Sequence, residues 1–264
     1  MSAPRANGYV AQNSRSRTWW EIGIVLSLSL GASAVYSIVR IIDRSTRDIP
    51  LAQQSATINQ SASDRPLFDL VYQLLGIAFD LAPVALVLWL LWRPAQSAFR
   101  RIGFDATRPG RDIGSGFLLA AVVGIPGLGL YLLSRTLGFS VDVRTSGLDD
   151  YWWTIPILIL SALRAALTEE IIVVGYLFTR LRELGWRPWS IIIGSAILRG
   201  SYHLYQGWGG FVGNLAMGIL FGWAYNRWGR TAPLIVCHFI LDIVSFVGYP
   251  LAVLWFPTVF ISGG

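Results

Sequence analysis

The sequence predicts an all-α fold, a polytopic membrane helical bundle of seven to eight transmembrane helices. Three observations carry that expectation. Of 264 residues, 54% are hydrophobic and only 14% charged, where a soluble domain carries about a quarter charged residues; the mean hydropathy is +0.53. The apolar residues gather into long runs separated by short polar connections. Twelve Trp, ten Tyr and thirteen Phe lie largely at the edges of those runs, where a ring with an apolar body and a polar tip suits the bilayer interface. Disorder is excluded and a soluble enzyme disfavoured. The formal charge of +6 does not point to nucleic acid, because the cations sit in the connections rather than along one face. A single cysteine, Cys237, excludes an intramolecular disulfide and a Cys-based zinc cage.

The chain divides into a tail, 1–18, expected to be cytoplasmic, a set of N-terminal membrane helices and loops, 19–150, and a C-terminal set, 151–264. The first apolar run, Trp19 to Ile42, is long enough to cross ~30 Å of hydrocarbon at ~1.5 Å per residue. A signal peptide cleaved after Ala32-Ser33-Ala34 is the rival reading; the apolar pattern continues past that point and favours an anchor. Asp43 to Asp64 is polar and reads as an extramembrane loop. Further runs cover Leu67 to Trp92, Gly114 to Leu137, Trp152 to Phe178, Trp189 to Leu204, Gly210 to Tyr225 and Ala232 to Phe260. The last is expected to break near Gly248-Tyr249-Pro250, since Pro interrupts the backbone ladder. Arg5, Arg15 and Arg17, the connection holding Arg93, Arg100, Arg101, Arg108 and Arg111, and Arg180, Arg182, Arg187, Arg227 and Arg230 would share one side. Arg44, Arg47, Arg65 and Arg144 would lie on the other, and this asymmetry predicts a cytoplasmic N-terminus in a cell membrane. Gly210, Asn214, Gly218 and Gly222 recur every four residues and read as a ridge for close helix packing.

Ionisable groups at lipid depth are expensive and therefore few. Asp80 lies three residues before Pro83 and could be satisfied by backbone freed at the kink. Arg164, Glu169 and Glu170 lie in the fourth run, Arg199 and His203 in the fifth, His238 and Asp242 in the seventh. Helical rise from the nearest connecting Arg places Glu169, His203, His238 and Asp242 roughly 12 to 24 Å deep, and the spacing of His238 and Asp242 puts both on one helix face. A carboxylate beside a neutral imidazole can hold a water and take its proton, while a second imidazole donates to a developing oxyanion. Amide hydrolysis, a structural polar network and ion or proton transport all fit such a set. There is no His-Glu-x-x-His for a zinc metalloprotease helix and no Gly-x-Gly-Asp. Ser201 and His203 are two apart and do not face each other on a helix.

Glu169-Glu170 followed by Gly175-Tyr176, then His203 in Tyr202-His203-Leu204-Tyr205-Gln206-Gly207, then His238-x-x-x-Asp242, resemble the CPBP family. This is the type II CAAX prenyl endopeptidase group, also called Abi proteins and the lysostaphin-resistance-protein-like group. The similarity covers about Trp152 to Gly248. The resemblance implies an intramembrane endopeptidase that hydrolyses peptide bonds: Glu169 activates the attacking water with His203, and His238 with Asp242 stabilises the oxyanion, so the catalytic set is Glu169, Glu170, His203, His238 and Asp242. It implies membrane lipid and a peptide or protein substrate, lipid-modified ones included, as partners, and no nucleic acid. Zinc use in the family has been described both ways; a metal-free mechanism without cofactor is expected, with zinc on His203, His238 and Glu169 as the alternative. Two positions depart from the family pattern. Val174 stands where the first motif ends in Arg, and Arg199 where the second begins with Phe. Glu170 then needs a cation from elsewhere, and Arg199 is expected to pair with it across the fourth and fifth helices. A non-proteolytic relative of the same fold, a scaffold or bacteriocin-immunity factor, is the runner-up reading.

Overall fold

The computed structural model describes residues 6–255, with the backbone alone for 6–13 and 252–254. Arg5 and the end of the last predicted run, at Phe260, lie outside the described residues. The chain is mostly helical: α1 (Ala6–Ser27), α2 (Leu30–Ser45), α3 (Pro66–Asp80), α4 (Ala82–Leu91), α5 (Ala98–Ile102), α6 (Pro109–Thr136), α7 (Thr154–Glu169), α8 (Leu177–Glu183), α9 (Pro188–Tyr202), α10 (Trp208–Trp228), α11 (Ala232–Ile243) and α12 (Tyr249–Trp255). Proline opens α3, α6 and α9 at the first helical position, where its missing N–H would have had no intrahelical partner. The helix from Ala6 runs through most of the predicted tail.

Three helices are long and apolar enough to cross a membrane: Pro66–Leu91, Pro109–Thr136 and Ala232–Leu251. A fourth exists if Ser14–Ser27 and Leu30–Ser45, bent by 56°, count as one span. The first run is therefore two helices, not one. Ser29 leaves helical geometry and its hydroxyl donates to the Val25 carbonyl at 2.6 Å, a back-bond of the kind that bends helices. The last run does not stop near Gly248 either; it passes through a π-helical segment, Val244–Gly248, into α12, and the wider π turn accommodates the register shift. α9 has only 15 residues, and α7 carries Arg164 and Glu169. These helices match polar groups to one another instead of presenting uniformly apolar faces.

The expectation of a purely α fold needs one correction. β1 (Ser55–Gln60) and β2 (Asp142–Gly147) pair in parallel, Ser55 opposite Asp142 and Gln60 opposite Gly147. Both lie in connections dominated by polar residues, where Thr57, Ile58, Val143 and Thr145 supply β propensity that an apolar-run reading overlooks. The pairing joins two connections that the Arg distribution had placed on one side. At the other end, Arg93 and Arg101 pair with Glu183, and Arg230 with Asp105 and Asp112, again joining connections expected to share a side.

The main core gathers Ala166, Ile172, Tyr176, Phe178, Ile191, Phe221, Tyr225 and Leu234 around the π-helical Glu170–Tyr176 that links α7 to α8. α9 lies between α10 and α2, and α11 between α6 and α7. Gly218 explains how close α10 comes to α9: a Cβ there would stand 2.8 Å from Ala196 Cα and 3.3 Å from Arg199 Cδ. The four-residue Gly ridge is thus a packing seam.

Candidate active site

Glu169 ends α7, Glu170 begins the π segment, Arg199 and His203 lie at the end of α9, and His238 lies on α11 one turn before Asp242. α7 and α11 pack directly, so acids and imidazoles from separate runs converge. π segments interrupt α-helices at functional sites more often than elsewhere, and here two of them begin within two residues of Glu169 and Asp242. Nothing in the apolar periodicity signals either one.

Glu170 is the hub. Its Oε1 accepts from Arg199 Nη2 at 2.6 Å and lies 2.7 Å from His238 Nδ1. The pair with Arg199 is the one the missing motif Arg required, and both side chains are essentially buried. Arg199 also lies over the Phe221 ring, 5.3 Å from its centroid, which favours the cation electrostatically. Its Nη1 stands 3.5 Å from Glu169 Oε2, so one guanidinium lies between two carboxylates that would otherwise repel in low dielectric.

Glu169 Oε2 accepts a hydrogen bond from the Tyr202 hydroxyl at 2.8 Å and faces His203 Nε2 at 3.7 Å. Tyr202 was not singled out from sequence. The available signal was its position three residues after Arg199, which places the two on one face of α9. On the far side, His238 Nε2 lies 3.5 Å from Asp242 Oδ2. Both ring nitrogens of His203, Glu170 Oε2, Arg199 Nη1 and Thr168 Oγ1 are buried without a hydrogen-bond partner. Buried polar atoms are paired in all but a few cases, so this concentration of unused capacity marks a place built to bind something polar.

Two sequence expectations resolve differently. Arg164 does not serve the glutamates; it pairs with Asp80 at 2.8 Å, so a charge rather than freed backbone at the Pro83 kink satisfies Asp80. Ser201 donates to the Ile197 carbonyl and is exposed, as its spacing from His203 foretold.

Glu169, Glu170 and His238 each offer a ligand atom within 4.8 Å of the others, but the trio does not fit a zinc shell as arranged. Tetrahedral ligands at about 2.0 Å from zinc lie ~3.3 Å apart, whereas His238 Nδ1 and Glu170 Oε1 are 2.7 Å apart and Arg199 occupies the same oxygen. His203, required in the zinc alternative, is outside this set.

No curated protein and no solved structure matches the chain. Residues 151–244 match one family model, described as type II CAAX prenyl endopeptidase Rce1-like. Its limits coincide with the stretch that carries all three motifs and end just past Asp242. The match supports the resemblance read from those motifs: over residues 151–244 this membrane protein is similar to the type II CAAX prenyl endopeptidase Rce1-like family.

Proposed function

We propose that the chain is an intramembrane endopeptidase that attacks peptide bonds with a water activated by Glu169. The observation that carries this reading is the concentration of buried polar atoms without a hydrogen-bond partner around Glu169, Arg199 and His203: Thr168 Oγ1, Glu170 Oε2, Arg199 Nη1 and both ring nitrogens of His203. A water seated to one side of the line between Glu169 Oε2 and His203 Nε2 reaches both at about 2.8 Å. Glu169 takes its proton as hydroxide adds to the scissile carbonyl, and the proton passes to the leaving amine. Tyr202 fixes the carboxylate that does this. His238, protonated on both ring nitrogens between Glu170 and Asp242, gives its Nδ1–H to Glu170; its Nε2–H, positioned by Asp242, donates to the carbonyl oxygen as it gains charge. Arg199 keeps two adjacent carboxylates tolerable in a dry interior, and it stands in for the motif Arg whose loss would favour the non-proteolytic reading.

In this reading the remaining helices complete a multi-pass bundle of seven to eight spans. The N-terminus and the Arg-rich connections lie on the cytoplasmic side of a cell membrane. The domain from 151 to the C-terminus holds the chemistry, and 1–18 and 19–150 supply tail and supporting helices. The substrate is a peptide or protein at the membrane, with a lipid-modified C-terminus as the class to try first. The test is cleavage of prenylated and unmodified peptides by the protein in liposomes. Glu169→Gln keeps shape but removes the base, and turnover should fall by ~100-fold or more while thermal unfolding is retained. Equal turnover in that variant overturns the assignment.

A further inference from the structure

A face of α3 joins the extramembrane sheet to the buried site. Asp69, Gln73, Gly76 and Asp80 follow one another at helical spacing, so they share one side of a helix that is otherwise apolar. At the outer end, Asp69 Oδ1 accepts from the Ala62 amide at 2.7 Å, and Gln73 Nε2 donates to the Gln60 carbonyl at the end of β1 at 2.9 Å. At the inner end, Asp80 meets Arg164 on α7. Thr168, one turn further along α7, holds a buried hydroxyl oxygen without partner, and Glu169 follows it.

Side-chain exposure rises outward in steps: Glu170 0%, His238 7%, Asp242 20%, Arg164 27%, Asp80 57%. Asp80 lies near the middle of the Pro66–Leu91 span. A charge at that depth facing acyl chains is costly, and intramembrane ion pairs of this kind face a bundle interior or water. Being uncovered by protein, Asp80 must face water.

We propose that this face of α3, opposed by Arg164 and Thr168 of α7, is the water-filled route by which the attacking water reaches Glu169 from the β1–β2 end of the molecule. The inference deepens the peptidase reading and rests on it for the water's use, but the route itself is testable without turnover. Asp80 and Arg164 then line the inner stretch of the route and are not catalytic residues.

The test compares two cysteines on opposite sides of α3. Gly76→Cys lies on the polar face, and a Cβ there meets nothing within 4 Å, so the variant keeps both the fold and the Asp80–Arg164 pair. Leu74→Cys, two positions away, does not share that face, and Leu74 is uncovered as well, 45% exposed. Off the polar face, it lies in lipid. The full chain in liposomes receives a charged methanethiosulfonate on both faces, with labelling normalised to total thiol after denaturation. The native Cys237 is buried, and the unsubstituted protein gives its background. Methanethiosulfonates react with thiolate, which forms in water and not in hydrocarbon, so Gly76→Cys should label at least ~10-fold faster than Leu74→Cys. Gln73→Cys, one turn toward the sheet, should label at least as fast as Gly76→Cys. Equal rates at 74 and 76, or fast labelling at 73 that stops before 76, would overturn the route. Absence of peptidase activity would leave the labelling result standing and sink the peptidase reading alone.

Discussion

Two arginine clusters in this molecule have the same composition and opposite character. Arg230 holds two carboxylates, Asp112 at 2.6 Å and Asp105 at 3.0 Å; Arg199 holds Glu170 at 2.6 Å and stands 3.5 Å from Glu169. In the first, Nε and both terminal nitrogens of Arg230 donate to Asp112, Thr107 and Asp105. That cluster clamps the connection before α6 to the start of α11. In the second, Arg199 Nη1, Glu170 Oε2 and both nitrogens of His203 have no hydrogen-bond partner, although the surroundings are far drier. Pairing an Arg with two acids therefore says little about function. What separates a reactive centre from a clamp is how much hydrogen-bonding capacity is left unused in the interior, where each unmade bond costs about 1–3 kcal/mol: several atoms on three neighbouring residues in the second cluster, against the single Thr231 Oγ1 beside the clamp.

The largest difference between the clusters should appear in stability. Arg199→Leu or Glu170→Gln leaves a buried charge alone and should destabilise by ~3 to 5 kcal/mol, with the double variant recovering much of the loss. Recovery will be incomplete, because Glu169 then has no cation beside it. Denaturant unfolding in detergent reads the cycle, and strictly additive losses would show that the pair is not coupled. Next comes Gly218→Ala. A methyl there has to displace Ala196 or the Arg199 stem, and overpacking of this kind costs ~1 to 3 kcal/mol; an unchanged melting temperature would mean that the seam between α9 and α10 has slack.

Tyr202→Phe removes one hydrogen bond to a charged acceptor and leaves the ring in place. The expected result is a fall in kcat of about 10-fold at unchanged KM, alongside the ~1–3 kcal/mol of stability that an unmade buried bond costs; a purely structural tyrosine would lower stability and leave kcat unchanged. The smallest effect belongs to the clamp. Asp105 is held well below the usual carboxylate range, chiefly by the Thr107 hydroxyl and also by Arg230, against a burial penalty in the other direction. A carboxyl lowered in the folded protein contributes stability above its ordinary value near 4 and loses it as pH falls through the folded value. Asp105→Asn should thus cost under ~1 kcal/mol at neutral pH. The difference from the unsubstituted protein should shrink below pH 4, and a difference that grows on acidification would contradict the assignment.

The clusters also differ in how far the sequence disclosed them. Charged residues within apolar runs are conspicuous, so Glu169, Glu170, Arg199, His203, His238 and Asp242 could be listed from sequence, and the gap left by Val174 pointed to Arg199. Asp105, Thr107, Asp112 and Arg230 lie in polar connections, where charges are ordinary and nothing marks a partner over a hundred residues away. Tyr202 escaped for a similar reason, since a tyrosine in an apolar helix looks like core. The parallel pairing of β1 with β2 depends on contacts between distant connections, and both π segments arise from tertiary packing rather than local periodicity. Of the seven to eight runs read as spans, three or four are long and apolar enough by length and composition alone; α7 and α9 carry charged groups that meet across their interface.

The central claim is that the unused capacity around Glu169 serves to activate water. Peptide cleavage by the liposome-reconstituted protein in H₂¹⁸O, followed by mass spectrometry of the products, tests it most directly. The account expects one ¹⁸O in the newly formed carboxyl group, at a rate that collapses in Glu169→Gln and is untouched in Arg230→Gln. Cleavage whose rate is indifferent to Glu169, or a folded protein that cleaves none of the prenylated or unmodified peptides, would contradict it.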